Sequence, residues 1–256
     1  MFCLFIVVLL IAPATQAADE LSIAAAADLQ FVLPKLIQQF EKQTGQQVRV
    51  VFGSSGNFTS QIQNGAPFDL FFSADLTYPE HLDAAGLIEP GSIYHYADGK
   101  IVLWALTSTN IDVSHGLGIL LDPKIHKISI ANPEHAPYGR AAVAALKHED
   151  IYSQVQEKIV LAENVSQAAQ FVDSGAAQVG IVALSLAAAP TVRDRGNYFT
   201  IPQSDYPGIE QGCAIVKSSQ HKKAARQFLD FIKTPQATAF LEEFGFAVSK
   251  EKIPRD

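Results

Sequence analysis

Short apolar runs alternate with stretches of helical periodicity along most of the chain, the pattern of α/β layers built around parallel strands. Residues 21–26 form an apolar run read as a first strand. Leu29, Val32, Leu33, Leu36, Ile37 and Phe40 then recur at helical spacing and make one apolar stripe. Asp28 stands at the N-cap position of that helix. Pro34 removes one helical hydrogen bond, which predicts an irregular start or a start nearer Val32. A strand over residues 48–52 follows, then a helix carrying Phe58 and Ile62 that stops at Gly65. Residues 68–73 have the composition of a fully buried strand. Pro79 suits the first turn of a short helix that carries Leu82 and ends at Gly86.

A second block of the same kind begins at Lys100. Strands are predicted over residues 101–106, 128–131, 159–161 and 179–182, and a helix over 138–146. Ser166 is placed as the cap of a helix running to Ser174 before Gly175. Residues 213–216 read as a further strand. Ala225, Phe228, Leu229 and Ile232 give residues 221–232 an apolar helical face, and Pro235 opens a last helix that stops at Gly245. The length suits two α/β lobes. Lobe one is expected to span residues 18–98 plus 214–256, with lobe two over 99–213.

The N-terminus changes the setting. Residues 2–12 are almost wholly apolar, Pro13 breaks the run, and Thr15-Gln16-Ala17 offers small residues for a signal peptidase. Residues 1–17 are therefore expected to be a secretory signal peptide, too short to cross a bilayer, although no Lys or Arg follows Met1. Cys3 lies inside this run, which leaves Cys213 alone in the mature chain and allows no disulfide within one subunit. Cys213 reads as a small buried hydrophobe. A net charge of −7 argues against nucleic acid, whose phosphates need a basic footprint.

Four segments sit where a strand should lead into a helix: residues 25–28, 53–56, 133–139 and 163–166. Singly, each reads as simple helix capping. Two fall in each expected lobe, so facing lobes would bring all four to one cleft, at the carboxyl ends of strands where such folds bind ligands. Gly53-Ser54-Ser55-Gly56-Asn57 is the most pointed of them. It aims backbone N–H groups, two hydroxyls and a helix dipole at one place, an arrangement that binds anions.

Those segments carry a resemblance. Residues 24–29, 52–57, Gly65-Ala66-Pro67-Phe68-Asp69-Leu70-Phe71-Phe72-Ser73-Ala74-Asp75, Asn132 to Gly139 with Pro133-Glu134-His135-Ala136-Pro137-Tyr138-Gly139, and Gly180-Ile181-Val182 resemble the periplasmic molybdate-binding proteins of ABC importers, in order along nearly the whole mature chain. The resemblance implies a two-lobed periplasmic binding protein-like fold of type II. Each lobe is then a mixed sheet flanked by helices, with the ligand cleft between. It implies molybdate or tungstate as the ligand, held as an oxyanion by hydrogen bonds alone, with no cofactor and no direct metal-cation ligand. Carried over by position, the contacts come from Asp28 and Ser55 in lobe one and from Tyr138 and the Val165 N–H in lobe two, with Ala27 and Ser54 as further candidates. Many relatives have a hydroxyl residue at the position of Asp28, and some have a tyrosine at that of Ala183, whose phenol Tyr138 would replace. The partner implied is a membrane permease, the location periplasmic, and the protein a monomer.

A carboxylate pointing at a dianion is repulsive by several kcal/mol at low dielectric. Two readings of Asp28 follow. Either its side chain caps the following helix while the N–H groups of Ala27 or Asp28 face the ligand, or it accepts a proton from an oxyanion such as hydrogen phosphate. The alternatives to a molybdate carrier are thus a receptor for phosphate or another tetrahedral oxyanion, and a secreted hydrolase with Ser55 as nucleophile. The last has little support, because Gly53-Ser54-Ser55-Gly56 lacks the Gly-x-Ser-x-Gly spacing. There is no His-Glu-x-x-His or Cys-x-x-Cys pattern either. His135 beside Glu134 reads as loop packing, Trp104 as core, and Lys222 and Lys223 as a solvated helix face.

Overall fold

The computed structural model describes residues 20–248, and the leader expected over residues 1–17 lies outside them. β1 (Leu21–Ala26) is buried along its length. A single 3-10 turn, Ala27–Leu29, leads towards α1 (Leu33–Thr44), which holds Pro34 in its first turn. There the missing N–H removes no bond, since first-turn donors have no intrahelical acceptor. β2 (Val48–Gly53), α2 (Ser55–Gln63), β3 (Leu70–Ser73), α3 (Thr77–Ala84) and β4 (Tyr94–Gly99) complete the first passage. Lys100 alone separates β4 from β5 (Ile101–Leu106). The second passage is β6 (Ile128–Ala131), α4 (Pro137–His148), α5 (Tyr152–Val155), β7 (Ile159–Ala162), α6 (Val165–Asp173), β8 (Val179–Ala183), α7 (Leu184–Ala187) and β9 (Gly196–Thr200). β10 (Ile209–Ile215), α8 (Lys222–Ile232) and α9 (Pro235–Glu243) bring the chain back.

The strands form two five-stranded sheets built to one plan, in the orders β2-β1-β3-β10-β4 and β7-β6-β8-β5-β9. In the first, β1 runs parallel to β2 and β3, while β10 is antiparallel to β3 and β4. In the second, β6 runs parallel to β7 and β8, while β5 is antiparallel to β8 and β9. Each sheet is mixed and flanked by helices, as the alternation of runs predicts. The parallel trios explain why the loops after β1, β2, β6 and β7 all lead towards helices at the same sheet ends.

Three differences from the sequence reading have physical causes. β10 belongs to the first sheet from Ile209 onwards, with Gln211 opposite Ala97 and Gly212 opposite Ser73, so the chain re-enters that sheet before residue 214. Its first residues include Glu210 and Gln211, which hide the strand from a search for apolar runs. β4 (Tyr-His-Tyr-Ala-Asp-Gly) and β9 (Gly-Asn-Tyr-Phe-Thr) are edge strands with partly solvated faces, hidden for the same reason. The cap of α6 is Asn164, whose side chain accepts the Gln167 N–H, rather than Ser166.

The core of the first lobe lies on both faces of its sheet. On one face α1, α8 and α9 cover the sheet around Phe40, Phe72, Phe228 and Phe231. Phe228 sits edge-on to Phe40 at 4.9 Å and to Phe72 at 5.9 Å. On the other face Phe58, Ile62, Phe71 and Leu82 pack beneath α2 and α3. The second lobe's cluster takes in Trp104 and Leu146, and it also includes Ala26, Ala27 and Ala74 from the first. The lobes are therefore in contact across the cleft, through small side chains that let backbones approach.

Two substitutions test this packing. Phe228→Ala empties the centre of the aromatic cluster, and urea unfolding should show a loss of about 3–5 kcal/mol. Gly139 lies so close to β6 that a Cβ there would stand 2.1 Å from the Ala131 carbonyl oxygen. Gly139→Ala should therefore push α4 from its sheet, and thermal unfolding should show a clear drop in Tm.

Candidate functional site

Three α-helices begin at the meeting of the lobes. α2 follows β2 in the first lobe; α4 and α6 follow β6 and β7 in the second. With the turn after β1, their first residues line a cavity: Ala26, Ala27 and Asp28, then Gly53, Ser54 and Ser55, then Ala136, Pro137 and Tyr138, and finally Asn164 and Val165, with Ala74 completing the wall. The space between these walls, counted together with the solvent-open volume at its mouth, is about 200 Å³. No Lys or Arg lines it. The N–H groups of the first helical turns have no intrahelical acceptors, so the walls are rich in donors but carry no cationic side chain.

Ser55 is the first residue of α2 and is buried. Its Oγ accepts the Ala74 N–H at 2.9 Å, which uses a lone pair and leaves the hydroxyl proton to donate. Ser54, the N-cap, makes no capping bond; its Oγ lies 3.0 Å from His135 Nδ1 of the other lobe. Val165 is the first residue of α6, where its N–H is free of the helix's own bonding. Ala27 and Asp28 form the 3-10 turn.

Asp28 differs from the expected cap. No side-chain capping bond forms at this turn, and the carboxyl instead faces the second lobe. Its Oδ2 accepts the Tyr138 hydroxyl at 2.9 Å and Gln211 Nε2 at 2.6 Å. Gln211 Nε2 also donates to the Tyr138 oxygen at 3.0 Å, and Tyr96 donates to Gln211 Oε1, which sets the orientation of the amide. Tyr138 thus lines the cavity, but its single phenolic proton goes to Asp28 rather than towards the space. Burial pushes the Asp28 carboxyl up to about 6, partly offset by the hydrogen bonds from Gln211 and Tyr138. Burial likewise holds the Tyr138 and Tyr96 phenols well above their usual range.

Around this centre the lobes are laced together. Gly56 N–H donates to the His135 carbonyl at 2.9 Å, Ser185 Oγ to the Asp28 carbonyl at 2.8 Å, and Arg140 pairs with Asp75 while reaching the Tyr78 hydroxyl at 3.0 Å. Asn57 bonds Glu163, and Ser166 bonds Gln30. His135 is thus a cross-cleft contact, where the sequence suggests only loop packing. Gly56 permits it: a Cβ there would lie 2.8 Å from the His135 oxygen. Gly99 similarly makes room for the Tyr138 hydroxyl, which a Cβ would approach to 2.2 Å. Gln211, Gly56, Gly99 and Arg140 escape a reading of motifs because their importance comes from the opposing lobe. Trp104 and Cys213 are buried core residues, and burial pushes the Cys213 thiol up, away from reactivity.

Comparison with known proteins agrees with this architecture. The family described as bacterial extracellular solute-binding protein matches residues 21–247. A molybdate-binding protein of Azotobacter vinelandii is 38% identical over 240 residues, covering 93% of this chain and 94% of the relative. One from Rhodobacter capsulatus is 35% identical over 230 residues, covering 90% and 89%. Among solved structures, the Azotobacter vinelandii periplasmic molybdate-binding protein superposes with a TM-score of 0.83 at 38% identity, over 90% of this chain and all of that one. The sulfate-binding protein SubI of Mycobacterium tuberculosis shares the fold at 19% identity, with a TM-score of 0.75 over 91% of this chain and 88% of its own. With its two-sheet architecture, its cleft between lobes and a family match over nearly its whole length, this chain belongs to the bacterial extracellular solute-binding proteins.

Proposed function

We propose that this protein captures molybdate, or its near twin tungstate, between its lobes in the periplasm and delivers it as a monomer to the permease of an ABC transporter. The observation that carries the reading is the small cavity walled by helix N-termini and a free hydroxyl proton, without a cationic side chain. The relatives named for molybdate support the choice of ligand over phosphate. The ligand contacts we assign are the Ser55 hydroxyl, the N–H groups of Ser55, Tyr138 and Val165, and the Ala27–Asp28 turn, with Ser54 held in place by His135.

Energetics allow such a site. A hydrogen bond to a charged group contributes roughly 1.5–3 kcal/mol. A nanomolar ligand needs about 12 kcal/mol. Half a dozen preorganised donors reach that order of magnitude without any ion pair. The donors come from both lobes, so an anion favours the closed state by bridging them, a population shift rather than a new fold. The same residues make poor catalysts. Ser55 Oγ is engaged by a backbone amide, and the imidazole at Ser54 has its other nitrogen 3.9 Å from Glu163, beyond hydrogen-bond length. We therefore read the chain as a carrier and not a hydrolase.

Thermal-shift titration should show stabilisation by molybdate and by tungstate and none by phosphate; stabilisation by phosphate alone would replace the reading. Ser55→Ala should weaken molybdate binding by about tenfold to a hundredfold in calorimetry, and unchanged affinity would remove Ser55 from the site. Gly56→Val should hold the lobes apart. Its molybdate affinity should fall by at least about tenfold while its unliganded Tm stays near that of the parent protein.

A further inference from the structure

Asp28 presents a conflict that the proposed function does not resolve. A carboxyl lines the cavity assigned to a dianion, and the groups that contact it supply no positive charge. From α4 comes Tyr138, a neutral phenol; from β10 comes the Gln211 amide, backed by the neutral Tyr96 phenol of β4; from α7 comes the Ser185 hydroxyl, on the Asp28 carbonyl. The two carboxyl oxygens are treated unequally. Oδ2 accepts two hydrogen bonds, from donors whose directions are set by the chain Tyr96, Gln211, Tyr138. Oδ1 is buried and has no hydrogen-bond partner.

That asymmetry places a proton. Oδ2 faces two N–H or O–H donors, so a protonated Asp28 must carry its hydrogen on Oδ1. An ionised Oδ1 would be a buried, unsatisfied charge, and a dianion in the same cavity would raise its energy further. A neutral Oδ1–H is instead a donor lacking an acceptor, and an oxyanion supplies one. Resting on the molybdate reading above, we propose that Asp28 binds the anion as a neutral carboxylic acid, donating from Oδ1 to the oxyanion, so that capture of each anion is coupled to uptake of one proton. The Tyr138 and Gln211 bonds to Oδ2 are the positioning elements of this device.

Molybdate and tungstate carry no proton near neutral pH, so the shared proton must reside on Asp28. The direction of the pH dependence follows. In the empty protein Asp28 loses its proton near pH 6, and a bound dianion raises that midpoint further. Affinity is therefore full below the empty-state midpoint and declines as the pH rises through it.

Calorimetric titration of the protein with sodium molybdate between about pH 6 and pH 8.5, in two buffers of different ionisation enthalpy, tests this directly. Affinity should fall about tenfold for each pH unit above the empty-state midpoint, the dependence for one linked proton. Well above that midpoint the buffer-dependent heat should report about one proton taken up per anion, falling to about half at the midpoint itself. Asp28→Asn, which keeps a donor at this position without titrating, should bind with no pH slope and no buffer-dependent heat. Binding by the parent protein with flat affinity and no proton uptake would overturn the inference while leaving the molybdate reading intact. An Asn variant that retained the parent slope would do the same. No heat with molybdate or tungstate at any pH would overturn both readings. The proton count on the unmodified protein decides the matter even if the variant does not fold.

Discussion

Desolvation of one carboxyl sets the terms on which the two halves of this molecule meet. Asp28 sits at the end of β1, buried against Tyr138 of the other lobe and Gln211 of its own. An ionised carboxylate removed from water costs free energy unless its partners replace the lost hydration. Only one of its oxygens is so compensated. The contact between the lobes is thus balanced against the charge state of a single group.

The rest of the cleft is organised to avoid the conventional remedy. A cation beside the cavity would attract an anion strongly, but it would also pair with Asp28 and hold that carboxyl ionised. Helix N-termini supply donors with only partial charge, and their geometry is set by strands that end at a common level. Small residues at the contact, Ala26, Ala27, Ala74 and Ala136, let these backbones come close enough to wall a space of about 200 Å³. The charged pair Arg140–Asp75 lies at the edge of the interface, where it ties the lobes without entering the cavity. Preorganised dipoles in a water-poor space interact more strongly with a charge than they would in solvent, which is the physical basis of the site we propose.

Much of the fold was legible before the structure. The stripe Leu33, Leu36, Ile37, Phe40 and the face Ala225, Phe228, Leu229, Ile232 are buried as their spacing predicts. β1, β5, β6 and β8 coincide with apolar runs because they are covered on both sides. β4, β9 and the first half of β10 were not legible, since an edge strand or a polar-bearing strand lacks that signal. The loop 53–57 was recognisable as a donor cluster from its glycines, hydroxyls and position between strand and helix.

By itself, then, the sequence determined the buried strands, the helices with an apolar face and the loops that place helix N-termini at the sheet ends, because hydrophobic period and capping chemistry are local properties. It also determined that the four candidate loops offer hydroxyls and backbone N–H groups and no Lys or Arg. Only the tertiary structure decided what Asp28 does. Its partners Tyr138 and Gln211 are 110 and 183 residues away along the chain, and no local rule links them. The same holds for Gly56 and Gly99, whose missing side chains matter only because the opposite lobe, or Tyr138, occupies the space. Contacts between lobes depend on how the two sheets are set against each other, and that geometry is a property of the whole chain.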